Sequence, residues 1–183
     1  MTDDAEHLYE RLLVIRCQTG DESAFRELVD RYTPRLAYYL RKTVPQRDRI
    51  DDLLQETWLD VFRQLPRLQS AAAFAVWVYR IARGKAARDW REQNRLPLAS
   101  AQEEPASAED EGPLFSPAQA DRIHEALDRL TPDHREVLVL RFLEDLTYEE
   151  IAEVLGCQLG TVRSRLHYGK QALRRLLDSI EGS

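Results

Sequence analysis

The chain has 183 residues, a formal net charge of −6 at pH 7 and a hydrophobic content of 43%. That length allows one or two globular domains with cores of their own. The small numbers of glycines and prolines, 7 and 8, exclude a fibrous or low-complexity protein. The longest apolar run, from Ala71 to Tyr79, is only about half of the roughly 20 residues that a membrane helix needs. We therefore expect no insertion into a membrane.

The sequence contains no pattern that predicts a metal site, a cofactor or catalysis. Its two cysteines, Cys17 and Cys157, form no CxxC pair, and its four histidines lack the spacing of metal ligands. We find no nucleophile–base pair and no glycine loop of the kind that cradles phosphates. The acidic N-terminus also lacks the basic start of a secretory signal. These features predict a cytoplasmic protein that is not an enzyme.

Helical periodicity dominates the first half of the chain, with no sustained strand alternation. It predicts helices over residues 24–43, 50–65 and 72–94. Pro34 lies inside the first of these and is expected to bend or divide it. On the second helix, the residues predicted to face inward are Leu53, Leu54, Trp58, Val61, Phe62 and Leu65.

The composition changes at residues 96–117, which are rich in Ala, Ser, Pro and acidic residues. Such a segment buries little apolar surface, so we predict a flexible tether. Helical patterning resumes at residue 118, and Thr131 and Pro132 are suited to the cap and first position of a following helix. We predict an all-α chain of two small helical domains, residues 1–95 and 118–183, joined by a flexible acidic linker.

The second domain carries the pattern of a helix-turn-helix. Thr147 and Glu150 have the spacing of a capping box, and Gly156 is suited to ending the short helix that follows. On the next helix, apolar residues recur at helical spacing, and basic residues follow the same rhythm one position later, at Arg163, His167, Lys170 and Arg174. This pattern predicts a recognition helix with an exposed basic face that binds DNA phosphates. A solvated basic face without a ligand is the alternative.

A second basic run lies on the third predicted helix, where arginines and Lys85 are interleaved with Trp77 and Trp90. Bases of a single-stranded nucleic acid stack on aromatic rings while cations bind the phosphates, so this mixture fits such a ligand. The residues alone fit equally well with tryptophans in the core and arginines that only keep the surface soluble.

Three segments in this order resemble the extracytoplasmic-function (ECF) sigma factors of the sigma-70 class. DDLLQETWLDVFRQL is similar to the core-binding segment of sigma domain 2, and FAVWVYRIARGKAARDW resembles its promoter-melting segment. LDRLTPDHREVLVLRFLEDLTYEEIAEVLGCQLGTVRSRL resembles sigma domain 4. The resemblance implies binding to core RNA polymerase, through its β′ clamp helices and β flap, and promoter-specific initiation of transcription. It also implies an anti-sigma factor as a regulatory partner.

The resemblance also implies roles for individual residues. The core-polymerase-binding residues would be Asp51, Asp52, Leu53, Gln55, Glu56 and Trp58, with the two apolar side chains as anchors. The residues facing the −10 element would be Arg80, Arg83, Gly84, Lys85 and Arg88. The residues meeting the −35 element would be Arg141, Thr161, Arg163, Ser164, His167 and Lys170.

Departures from the family pattern affect the expected recognition of both promoter elements. IARG stands where IARN is usual, so Gly84 lacks an amide that reads a base edge. HYGK replaces the more usual HRAR, which removes a cation and places Gly169 inside a helix at an expected cost of about 1 kcal/mol. The competing function is a stand-alone helix-turn-helix regulator, which would have no need of the DDLLQETW segment. A helical module that sequesters a protein partner is a third option.

Overall fold

The computed structural model describes residues 2–94 and 120–181, and within them every regular element is a helix. Contacts divide the chain into two compact units, residues 1–98 and 99–183. The predicted tether at residues 96–117 lies outside the described residues. In the part of the chain that is described, no helix combines the length and the apolar character that a membrane-spanning segment requires.

The first unit contains four α-helices. These are α1 (Thr2–Gln18), α2 (Glu22–Thr43), α3 (Ile50–Gln64) and α4 (Phe74–Asn94). Short 3-10 turns at Arg47–Arg49, Leu65–Arg67 and Ala71–Ala73 connect them. The second unit contains α5 (Ala120–Asp128), α6 (Pro132–Phe142), α7 (Tyr148–Leu155) and α8 (Leu159–Glu181).

Aromatic side chains join α2 to α4 in the core of the first unit. The rings of Tyr32 and Phe74 meet edge to face with centroids 5.1 Å apart. Tyr39 and Tyr79 do the same at 5.3 Å, and all four residues are almost completely buried. Pairs of this geometry stabilise a core beyond the apolar area that they bury. They therefore fix α4, and the basic residues on it, against the rest of the unit.

The structure confirms the three helices predicted in the first half, with two differences. Pro34 does not divide α2, which runs without a break from Glu22 to Thr43. Pro34 has no N–H to donate to the carbonyl of Asp30. Both residues are exposed, so the loss of this helical hydrogen bond falls on the solvent side of α2. The second difference is α1, which the sequence pattern did not predict.

The N-terminal caps of the second unit are those that the sequence predicts. Thr131 caps α6 and accepts a hydrogen bond from the backbone of His134 at 3.4 Å. Thr147 and Glu150 form the reciprocal capping box at the start of α7. Gly156 ends α7 in the left-handed conformation, with φ of 64°, which costs a glycine little. These signals confirm the helix-turn-helix formed by α7 and α8.

Gly169 lies at a close contact between α8 and α6 and is buried. A Cβ atom at this position would lie 3.3 Å from both His134 Cβ and Leu138 Cδ1. His134 Cβ is fixed to the backbone of α6, so relief of this contact requires a shift of the helix. Gly169 is thus a site of close helix packing as well as a poor helix former, which the sequence alone did not indicate.

Candidate nucleic-acid and protein interfaces

The first turns of α3 present an acidic face to solvent. Asp51, Asp52, Gln55 and Glu56, all predicted to bind polymerase, are exposed there. Carboxylates in the first turn of a helix are stabilised by the positive end of its dipole, so the sequence can place them at this position without structural cost. They form a negatively charged surface that suits a basic partner.

The two apolar anchors predicted on this helix belong to the unit's own core. Leu53 is only 1% exposed, so in this structure it faces the core and not a partner surface. Trp58 is half-buried, and its Nε1 donates a hydrogen bond to Thr33 Oγ1 at 3.0 Å. Its ring also packs edge to face on Phe25 of α2, with centroids 6.1 Å apart. These contacts occupy Trp58 inside the unit.

Two other apolar side chains of α3 are exposed instead. Leu59 is 47% exposed and Phe62 is 63% exposed. The prediction that Phe62 faces inward is wrong, because Val61 and Leu65 fill the inner positions at this end of the helix. Leu59 and Phe62 follow Asp52, Gln55 and Glu56 at steps of three and four, so they continue the same exposed face. That spacing is the signal in the sequence that could have identified them.

The basic residues of α4 fall into an exposed stripe and two flanking positions. Arg80, Gly84 and Arg88 recur every four residues and are exposed. Arg83 and Lys85 lie on either side of this stripe and are half-buried. The Cβ that Gly84 lacks would have open space around it, so this stretch of α4 leaves its backbone accessible. Trp77 and Trp90 are both half-buried and therefore contribute partly to the core.

Ion pairs connect the cations of α4 to the acidic side of α3. Lys85 Nζ lies 2.6 Å from Asp60 Oδ2 and 3.8 Å from Glu56 Oε2. Arg88 Nε pairs within its own helix with Glu92 Oε1 at 2.8 Å. The pKa of Arg88 is raised, first by this hydrogen bond and to a smaller extent by the nearby charges of Glu56 and Asp60. The two candidate interfaces of this unit thus lie within electrostatic reach of each other.

Arg49 forms a second ionic link beside the first turn of α3. Its Nη1 lies 2.5 Å from Asp52 Oδ2, and its Nη2 lies 3.0 Å from Asp89 Oδ1 on α4. The side chain of Asp89 is only 12% exposed, so this part of the link is held tightly. Two acidic residues of α3, Asp52 and Glu56, therefore contact cations of their own unit as well as solvent.

The recognition helix α8 carries a narrow basic face. Arg163, His167, Lys170 and Arg174 fall within an arc of about 60° around the helix axis, at about 100° per residue. Arg163 and Arg174 are exposed, and His167 and Lys170 are half-buried. Val162, Leu166 and Leu173 are buried on the adjacent face against the rest of the unit. The structure therefore brings these four basic residues together on one face.

Ser164, in contrast, is not on this face. It is completely buried, and its hydroxyl donates a hydrogen bond to the carbonyl of Thr161 at 3.1 Å. This burial argues against the predicted contact between Ser164 and DNA. Thr161 is half-buried and two positions before Arg163, which places its side chain on another side of the helix.

Arg165 also points away from the basic face, toward α6. Its Nη2 lies 2.8 Å from Asp133 Oδ2, and the side chain is 12% exposed. Asp133 is in the first turn of α6, where its charge is also favoured by the helix dipole. Arg165 thus stabilises the contact between α6 and α8.

Arg141 and Lys170 meet at the ring of Phe142. Lys170 Nζ lies 5.8 Å from the centroid of Phe142, and Arg141 Cζ lies 5.9 Å from it. Arg141 Cζ is also 5.8 Å from the ring of Tyr148, and its Nη1 reaches the carbonyl of Leu146. Cation–π contacts hold both cations near the corner between α6 and α7. Arg141 therefore lies beside the end of the basic face that contains Lys170.

Two family models match the chain in the order of its two units. The Sigma-70 region 2 model matches residues 28–96, and the Sigma-70, region 4 model matches residues 120–173. The ECF RNA polymerase sigma-E factor of Haemophilus influenzae is 31% identical, over 96% of this chain and 99% of the relative. The corresponding protein of Escherichia coli K12 is 33% identical, over 92% and 94% of the two chains.

The chain is an ECF sigma factor of the sigma-70 class. This sigma factor matches both sigma-70 regions, so a stand-alone helix-turn-helix regulator is not favoured. Solved structures agree on the fold. CnrH, in complex with the cytosolic domain of CnrY, has a TM-score of 0.65 at 24% identity, covering 93% of this chain and 97% of that one. The sigma factor RpoE of Bartonella quintana, in complex with the anti-sigma factor NepR, also has a TM-score of 0.65, at 22% identity and coverages of 84% and 96%.

Proposed function

We propose that this sigma factor divides promoter-specific initiation among three helix faces. The exposed face of α3 binds core RNA polymerase, α4 captures the −10 element, and α8 reads the −35 element. The observation that carries this assignment is that an acidic face with exposed apolar residues lies on α3, while the exposed basic faces lie on α4 and α8. Surfaces of opposite sign on different helices suit a basic protein partner and a polyanion at the same time.

On α3, the charged residues and the apolar residues that contribute to polymerase binding are different. Asp52 and Glu56 complement a basic surface and favour correct docking. Leu59 and Phe62 are the apolar anchors in place of Leu53 and Trp58, because they are the more exposed side chains. Phe62 also packs edge to face on Phe25, with centroids 5.3 Å apart, but it remains 63% exposed. Buried aromatic anchors supply most of the free energy in typical protein interfaces.

On α4, we assign Arg80 and Arg88 to the phosphates of the opened strand, because both lie on the exposed stripe. Arg83 and Lys85 flank that stripe and complete the basic surface. Gly84 leaves the helix backbone accessible between Arg80 and Arg88, so a nucleotide could approach it closely. Strand separation would then proceed by capture of an extruded base, without a catalytic step.

On α8, Arg163 is the residue best placed to read sequence. It is exposed on the basic face and lies near the N-terminal end of the recognition helix, the end that reaches base edges in helix-turn-helix proteins. A guanidinium can pair with the two acceptors of guanine, which distinguishes it from other bases. His167, Lys170 and Arg141 continue the surface and are suited to phosphates, which position the protein without reading sequence.

We also propose that an anti-sigma factor regulates this protein in the cytoplasm and that the chain itself has no catalytic activity. Two structures with the same fold were solved in complex with a protein partner, CnrH with the cytosolic domain of CnrY and RpoE with the anti-sigma factor NepR. Exposed apolar residues on α3 give such a regulator a surface to cover in the free sigma factor.

Reconstituted transcription tests the proposed function. The purified chain is mixed with core polymerase and a promoter fragment taken from start sites mapped after overexpression. We expect transcripts from that promoter only when the chain and the core enzyme are both present. Specific binding of the free chain to the promoter, together with no transcript in the presence of core enzyme, would instead support a stand-alone regulator.

A further inference from the structure

Asp60 on α3 has no role in the surfaces assigned above, yet it forms a close ion pair with Lys85 of α4. Its Oδ2 lies 2.6 Å from Lys85 Nζ. The two side chains are 26% and 20% exposed, so the pair is partly shielded from water. A charge pair of this kind is screened less by salt than one at the open surface. The amine of Lys85 is therefore held on the α3 side of α4.

Asp60 is the third member of an acidic row that lines α3 beside α4. Asp52, Glu56 and Asp60 recur every four residues, which places them along one side of the helix. Each lies close to a cation: Asp52 is paired with Arg49, and Glu56 and Asp60 with Lys85. Glu56 and Asp60 also contribute to the raised pKa of Arg88. We call Asp52, Glu56 and Asp60 the acidic row.

The acidic row lowers the attraction of α4 for a polyanion in the free chain. A phosphate that approaches Lys85 must compete with the carboxylate of Asp60 for the same amine. A phosphate near Arg88 meets the negative charges of Glu56 and Asp60 as well. Both effects oppose DNA binding until the charge of the row is compensated by another cation.

We propose that Asp60 is a positioning residue that holds Lys85 away from DNA until core polymerase compensates the acidic row. This inference rests on the proposed function, because it takes the exposed face of α3, which includes Asp52 and Glu56, as the polymerase-binding surface. When cations of the polymerase bind Asp52 and Glu56, the local potential beside α4 becomes more positive. Lys85 then exchanges Asp60 for a phosphate. By linkage, bound DNA strengthens polymerase binding by the same factor.

The first arm of the test uses the free full-length chain and a fluorescent single-stranded oligonucleotide that carries the −10 sequence. We expect Asp60→Asn to bind about three- to fivefold more tightly, the effect of removing one partly exposed ion-pair partner. The slope of log K against log salt should become steeper by about 0.7, because one more phosphate is neutralised on a single strand. A merely structural role for Asp60 would leave that slope unchanged.

Asp30→Asn on α2 is the matched control for net charge. Asp30→Asn alters the total charge by the same amount as Asp60→Asn. Asp30 is exposed and lies on a helix that carries neither candidate interface. It should leave the salt slope unchanged. Addition of Lys85→Gln to Asp60→Asn should remove the gain in affinity, because the released amine is then absent. Thermal unfolding of each variant verifies that the unit is folded.

The second arm repeats the titration with the chain bound to core polymerase. We expect the wild-type protein and Asp60→Asn to bind the oligonucleotide with equal affinity, because the polymerase has already compensated the row. Equal affinities of the two free chains, or an equally large gain in the holoenzyme, would overturn the proposal. Promoter-specific transcription by the wild-type holoenzyme tests the proposed function separately. Failure of the Asp60 proposal can therefore be distinguished from failure of the proposed function.

Discussion

Gly169 illustrates how a single position can have opposite local and tertiary preferences. Inside α8, a glycine costs helix stability relative to alanine because its backbone loses more freedom on folding. At the same position, the backbone of α6 lies so close that an added Cβ would meet His134 Cβ at 3.3 Å. We expect the tertiary contact to outweigh the propensity, since interiors packed at crystal-like density tolerate little added volume.

Gly169→Ala should therefore destabilise the second unit, although the same change in an open helix stabilises it. We expect the free energy of unfolding to fall by about 1 kcal/mol. Overpacking should cost about 1–3 kcal/mol, and the higher helix propensity of alanine should offset part of this cost. Thermal and urea unfolding of the full chain, followed by circular dichroism, measure the change.

Gly160→Ala is the control in the same helix. Gly160 is exposed, and a Cβ there would meet nothing within 4 Å. This variant should be neutral or slightly stabilising. A Gly169→Ala protein as stable as Gly160→Ala would show that α6 and α8 adjust freely and that the close contact has no energetic weight.

At the scale of the element, the start of α2 is held by one carboxylate that caps the helix and also forms an ion pair. Asp21 Oδ1 accepts hydrogen bonds from the Ser23 and Ala24 backbones, and its Oδ2 lies 2.7 Å from Arg16 Nη2 on α1. The hydrogen bond from the Ser23 side chain and those from Arg16 hold the pKa of this carboxyl well below its usual range. The end of α1 and the start of α2 are therefore linked through a charge.

The stability of the first unit should depend on the ionisation of Asp21. Because the folded-state pKa is lowered, the ionised group stabilises the fold at pH values above its unfolded pKa of about 3.9. That stabilisation is lost as the pH falls below this value toward the folded pKa. Asp21→Asn retains a good capping side chain but removes the charge. Its melting temperature should be lower than that of the wild-type protein at pH 7, and the difference should shrink near pH 3.

A difference in melting temperature that stays constant from pH 7 to pH 3 would contradict this assignment. Asp30→Asn again supplies a control, because Asp30 lies on the exposed side of the same helix and caps nothing. Its effect on the melting temperature should be small at both pH values.

Elements that carry their own start and stop signals could be predicted from the sequence. The capping box at Thr147, the left-handed Gly156 and the cap at Thr131 are local features, and the structure has all three. Helix α1 was missed because its apolar residues do not form one stripe. Leu13 and Val14 are buried, while Leu12 and Ile15 beside them are about half exposed, at 49% and 51%. Local periodicity cannot identify such a helix.

At the scale of the whole molecule, a chain with a net charge of −6 still carries rows of basic residues on α4 and α8, the helices expected to bind nucleic acid. The sequence could predict which helices carry that charge, because the basic residues follow helical spacing. It could not predict which side chains remain accessible. Ser164 is buried, Lys85 is paired with Asp60, and Phe62 is 63% exposed, each because of contacts between helices distant in sequence. Exposure depends on tertiary contacts, so the accessible residues of the candidate site could be identified only from the structure.

The most direct test of separate polymerase-binding and DNA-binding faces compares two variants, Arg163→Ala and Phe62→Ser. For each variant, the affinity for core polymerase and the transcription from one promoter are measured. Arg163→Ala should bind the core enzyme like the wild-type protein but lose about 1–3 kcal/mol in promoter use. Phe62→Ser should lose at least about 1 kcal/mol of core affinity and recover transcription when the chain is in excess. Leu8→Ser, which changes a residue of α1 that is 67% exposed, controls for loss of surface apolar area. If Arg163→Ala weakens core binding as much as promoter use, the assignment of separate faces is contradicted.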